Sequence, residues 1–207
     1  MNKNISSPET ILHKITTPLT TWYQINARSL PWRTPAGSSS RPDPYPIWIS
    51  EIMLQQTRVE AVKDYYTRFL KRLPDVSSLA GVSHDELMKL WQGLGYYSRA
   101  NNLQRAAIQI MEEYGGSFPE HYEEILTLPG IGEYTAGAIA SIAFGEAVPA
   151  IDGNVYRIYT RLCGDDSDIT KTPFKKKLRS LLSNAVPVTE PGSYNQAWMD
   201  LGATVCL

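Results

Sequence analysis

The chain has 207 residues, 43% of them apolar, with 20 Lys and Arg against 21 Asp and Glu for a formal net charge of -1. That is apolar material for one good core, or two small ones sharing a seam, so a stable soluble globule is expected. A charge near zero argues against strong non-specific nucleic-acid binding through counterion release. It nevertheless hides one basic run, KTPFKKKLR at 171–179, which by itself reads first as the solvated face of an amphipathic helix.

The first twenty residues hold no continuous apolar stretch, so neither a secretory signal nor a membrane span is read there, and a cytoplasmic protein is expected. Ser7-Pro8 opens the first helix. RTPAGSSSRPDPY, 33–45, is rich in Pro, Gly and Ser and reads as a connector and domain seam. YPIWISEIMLQQTRVE, 45–60, follows as a strongly apolar helix. Ser83 with Glu86 three positions on forms a capping box, Gly115-Gly116 closes the helix of 97–114, and Pro119 marks the start of a helix at EHYEEIL. The run LPGIGEYTAGAIASIAFG, 128–145, places Gly-x-Gly between two apolar helical segments, with Pro129 ending the first. GEAVPAIDG, 145–153, then separates the central helices from a C-terminal set at 154–164, 171–185 and 193–206. Apolar residues recur at helical spacing throughout without sustained period-two alternation, which predicts an all-α fold.

Cys163 and Cys206 are too few for a disulfide framework, and His13, His84 and His121 show no metal-ligand spacing. Gly130 and Gly132 permit backbone angles and close approaches that a side chain would block. Amides of that turn, with the amino end of the helix beginning near Glu133, can hold an anionic oxygen without any lysine; an ordinary tight helical hairpin is the alternative. Glu51 is an acid set among Ile47, Trp48, Ile49, Ile52, Met53 and Leu54. Burial there would raise its pKa and suit it to general acid work, with Gln55 and Arg58 on its helix face; otherwise it is a surface glutamate. Asp152 stands where a helix begins, as an N-cap that the helix dipole keeps ionised. A protonated and an ionised carboxyl together are the usual means of cleaving a glycosidic bond, one for the leaving group and one for the sugar cation.

LPWR (30–33), SEIMLQQTRVE (50–60), GLGYYSRANNL (93–103), LPGIGEYTAGAI (128–139) and IDGNVYR (151–157) resemble the MutY-type adenine glycosylases of the helix-hairpin-helix DNA glycosylase superfamily. The bifunctional endonuclease III branch would carry a lysine at Tyr134 and Ala-Gln at Glu51-Ile52. The resemblance implies removal of adenine mispaired with 8-oxoguanine or guanine, by hydrolysis of the N-glycosidic bond without lysine-dependent strand cleavage. It assigns protonation of adenine to Glu51 and stabilisation of the sugar cation to Asp152, with Tyr134 and Asn154 in support. Arg33, Trp32, Leu54 and Gln196 would line the adenine pocket. Gly130 and Gly132 would hold the DNA backbone, while Gln56 and Tyr96 would enter the duplex beside the partner base. Core packing is the alternative for Tyr96.

The implied architecture is a six-helix domain at 38–147 facing, across a cleft, a second domain made of 1–37 and 148–207. Family members continue with three further cysteines that, with a first, hold a [4Fe–4S] cluster. Cys206 matches that first ligand, and the chain stops at Leu207 before the others. A cluster is therefore expected in the full-length parent and none in this chain, whose second domain lacks the cluster loop. The implied partner is double-stranded DNA, with no membrane partner, and the protein is expected as a nucleoid-associated bacterial monomer. A pyrimidine- or thymine-directed glycosylase of the same superfamily and a non-catalytic DNA-binding module are the alternatives.

Overall fold

A computed structural model describes residues 7–34 and 41–207. Among these residues the regular structure is eleven α-helices and no strand, as the periodicity predicts. The helices fall into two compact units, Ser29–Phe144, and Met1–Arg28 with Gly145–Leu207. Residues 35–40 of the connector at 33–45 lie outside the described residues.

In the unit Ser29–Phe144 the central element is α2 (Pro44–Leu54). Its amino end is capped by Asp43, which accepts from Tyr45 N at 2.9 Å. Eight of its residues, including Trp48 and Glu51, are buried, because a helix apolar on every face must be enclosed. It packs against α3 (Val59–Arg72) and against α8 (Glu133–Phe144), whose alanines and Gly137 keep it slender enough to enter the middle of the unit. Around these lie α4 (Val76–Gly81), α5 (His84–Trp91) and α6 (Ser98–Glu113), with α7 (Tyr122–Ile125) a single turn before the hairpin. Edge-to-face rings join the layers: Phe69 of α3 meets Trp91 of α5 at 6.1 Å, and Trp48 meets Phe118 at 5.4 Å.

Three local expectations change. Ser83 accepts from Glu86 N at 3.3 Å, but the Glu86 carboxylate pairs with Arg72, so only half of a capping box forms. The reciprocal box is made instead by Asp75 and Ser78 at the start of α4. No helix begins at Pro119: α7 starts at Tyr122, while Glu120 reaches Arg41 Nη1 at 3.2 Å. Nor does Pro129 end that helix, because α7 stops at Ile125 and Thr127 turns the chain by giving both its N–H and its hydroxyl to Glu124 O. Gly115 and Gly116 do close α6, both left-handed, with φ of 61° and 84°.

The other unit is assembled from both ends of the chain. The helix α1 (Pro8–Asn26), capped by Ser7, packs on α9 (Gly153–Cys163), α10 (Thr172–Ser183) and α11 (Pro191–Thr204). Its core joins Leu12, Leu19, Val155, Phe174, Leu178 and Trp198. Asp200, fully buried in α11, accepts from Arg28 N at 3.0 Å and Arg28 Nε at 2.6 Å, which anchors the segment leaving α1. Among the described residues no helix is long and apolar enough to cross a membrane.

Candidate active site

Glu51 lies on α2 with only 7% of its surface exposed. Tyr134, in the first turn of α8, donates its hydroxyl to Glu51 Oε2 at 2.8 Å. Both belong to one unit, and the packing of α2 on α8 brings them together across 83 positions of sequence. A buried carboxyl held by a phenol is oriented, which is the first requirement for proton transfer to a bound group. Leu54, one turn further along α2, is half-buried on the same side as Glu51. Gln55 and Arg58 do not share that face: α2 ends at Leu54, Gln55 is its C-cap, and Arg58 is already the N-cap of α3.

The turn before α8 separates the two glycines physically. Gly130 has φ +79°, and a Cβ there would stand 2.7 Å from Asn102 Cβ on α6, so a glycine is required. Gly132 is exposed, and a Cβ on it would meet nothing within 4 Å. Its carbonyl accepts from Ala136 N at 2.9 Å, and as the residue preceding α8 it has no side chain to accept from the first-turn amides. An exposed helix start of this kind favours an anionic oxygen.

In the other unit Asp152 caps α9. Its Oδ1 accepts from Val155 N at 2.9 Å and its Oδ2 accepts from Asn154 Nδ2 at 2.7 Å. Asn154 Oδ1 in turn accepts from Arg157 Nη2 at 2.9 Å, and Arg157 donates to Gly202 O at 2.7 Å and to Cys206 O at 2.9 Å. Gly202 is fitted against this relay, since a Cβ there would lie 2.4 Å from Asn154 Cβ. Neither Arg157 nor Gly202 is singled out by sequence reasoning. The available signal is an unbroken helix that tolerates an interior glycine, which points to close packing at that position.

Trp32 is buried, its ring edge-on to Tyr66 at 5.3 Å, and Arg33 beside it is half-buried. Gln196, half-buried on α11, donates to Gly192 O at 3.3 Å. Gln56 and Tyr96 are both exposed, and they are the two non-glycine residues of positive φ among those described, at 56° and 45°. Such backbone costs about 1–2 kcal/mol for a residue with a Cβ and persists only when its surroundings impose it.

Cys206 Sγ accepts from Arg161 Nη1 at 3.1 Å, and Cys163 closes α9 with its thiol pushed up by burial. A [4Fe–4S] cluster takes four thiolates, and the chain has two cysteines, so its residues do not fit a complete cluster. Among the described residues no group of three or more His, Cys, Asp or Glu is arranged to hold a metal ion.

Residues 49–184 match the family model described as HhH-GPD superfamily base excision DNA repair protein. The chain belongs to that superfamily. Its relatives include adenine DNA glycosylases: that of Mus musculus is 46% identical over 91% of this chain, and that of Buchnera aphidicola from Acyrthosiphon pisum is 40% identical over 90%. This chain spans 37% of the mouse protein and 52% of the Buchnera protein. A solved thermostable thymine-DNA glycosylase superimposes over 98% of this chain and 90% of its own, with a TM-score of 0.84 at 28% identity.

Proposed function

We propose that this chain carries the catalytic part of a DNA glycosylase that removes adenine paired with 8-oxoguanine or guanine in double-stranded DNA. The single observation that carries the reading is the hydrogen bond from Tyr134 to buried Glu51, in a sequence 46% identical to an adenine DNA glycosylase. Glu51, as the protonated acid, gives its proton to the adenine. The bond between the sugar carbon and the base then breaks, with its electron pair leaving on the base. Asp152 faces the oxocarbenium-like sugar, with Asn154 holding the carboxylate in place. Water adds to the sugar and returns a proton to Glu51. Tyr134 occupies the position where an amine would form a Schiff base, so the strand is left intact.

The remaining assignments follow the same reading. Arg33, Trp32, Leu54 and Gln196 receive the extruded adenine, while the turn at Gly130 and Gly132 holds the backbone. Gln56 and Tyr96 fill the space beside the partner base. In this reading the two domains are 38–147, and 1–37 with 148–207, and the protein acts as a monomer.

The test is single-turnover cleavage of duplexes containing A opposite 8-oxoguanine or T opposite G, with and without alkali. The reading expects alkali-dependent breaks in the first duplex only, and their loss in Glu51→Gln. Product from T opposite G alone would replace the reading with a thymine-directed one, which the similarity to the thymine-DNA glycosylase favours. Strand breaks without alkali would refute the assignment to Tyr134, and duplex binding without any product would leave a non-catalytic binding module.

A further inference from the structure

Arg99, in the first turn of α6, is 8% exposed, and its partners are five carbonyl oxygens rather than a carboxylate. Nη1 donates to Ile52 O, Met53 O and Gln55 O at 2.8, 3.1 and 2.7 Å. Nη2 donates to Leu94 O and Gly95 O at 3.0 and 3.3 Å. One cation thus ties the end of α2 to the turn that precedes α6. Its guanidinium carbon also lies 5.4 Å from the Trp91 ring centroid and 5.8 Å from that of Tyr96.

The two turns share a second property. Gln56 and Tyr96 have φ of 56° and 45°, and each directly follows a residue whose carbonyl Arg99 holds, Gln55 and Gly95 respectively. Fixing a carbonyl fixes the peptide plane that enters the next residue, so the guanidinium sets the plane from which each strained residue departs. Both side chains point their exposure outward while the cation beneath is buried.

We propose that Arg99 is a positioning residue that holds Gln56 and Tyr96 together in their strained, outward conformation. Its functional meaning rests on the reading that these two side chains enter the DNA duplex. A lysine cannot replace it, because a single ammonium cannot span two groups of carbonyls as a planar fork does.

Arg99→Lys keeps the charge and tests the geometry. Hydrogen exchange of the free protein should quicken by about tenfold or more at both 55–58 and 94–98, with α8 unchanged. Exchange unchanged at either turn, or raised uniformly over the molecule, would overturn the proposal. Affinity for the A·8-oxoguanine duplex should fall by about tenfold, yet Arg99→Lys should add less than about twofold in a Gln56→Ala, Tyr96→Ala background. Full additivity in that cycle would also overturn it. Should Gln56→Ala, Tyr96→Ala bind DNA normally, the duplex-entry reading fails, while the exchange arm still decides the clamp. If Arg99→Lys is too unstable to isolate, adding Gln56→Gly and Tyr96→Gly should restore a folded protein, since glycine accepts positive φ freely; no recovery counts against the proposal.

Discussion

The Tyr134 hydroxyl donates to Glu51 Oε2 over 2.8 Å, so the first turn of α8 orients the carboxyl buried in α2. Tyr134→Phe deletes only that donor. The glycosylase rate should drop by about ten- to a hundredfold, as expected for a hydrogen bond to a charged or ionisable partner worth about 1.5–3 kcal/mol. Single-turnover rates at saturating enzyme, with thermal melting as the folding control, check this; an unchanged rate would detach Tyr134 from the chemistry.

Gly130 and Gly132 should separate by what they break. Gly130→Ala brings a Cβ to 2.7 Å from Asn102 Cβ at φ +79° and should cost about 1–3 kcal/mol of stability. Gly132→Ala meets open space and should cost no more than about 1 kcal/mol, mostly from a poorer N-cap. Its effect should appear in DNA affinity, measured by fluorescence anisotropy, because the added methyl group narrows access to an exposed helix start that favours an anionic oxygen.

A paired substitution tests the relay to Asp152. Gly202→Ala puts a Cβ 2.4 Å from Asn154 Cβ and should destabilise the chain by about 1–3 kcal/mol through overpacking. Adding Asn154→Gly removes the clashing atom and should recover most of the stability in urea titrations. Activity should stay low, since Asp152 Oδ2 then lacks the amide that it accepts from in the native chain.

Acid stability should depend on Asp165. Hydrogen bonds from Ser167, and then Lys177, lower its pKa to about 2 in the folded chain. A lowered folded pKa contributes stability above the ordinary carboxylate range and loses it as pH falls from about 4 through about 2. Asp165→Asn should therefore melt a few degrees below the native chain at pH 7, and the two should converge near pH 2. Equal melting at pH 7 would show that the pair with Lys177, whose side chain is 52% exposed, is too well solvated to matter.

Local signals determined much of this protein before any folding was considered. The all-helical class, the caps at Ser7 and Asp152, and the left-handed stops at Gly115 and Gly116 all arise from interactions within a few residues. They are readable because hydrogen bonding and steric limits act over one helical turn. Tertiary structure alone decided where α2 ends, that Tyr134 meets Glu51, that Arg99 collects five carbonyls, and that Gly202 accommodates Asn154. Each of these depends on which helix faces meet, and that is settled by packing between segments tens of residues apart, which no local pattern encodes.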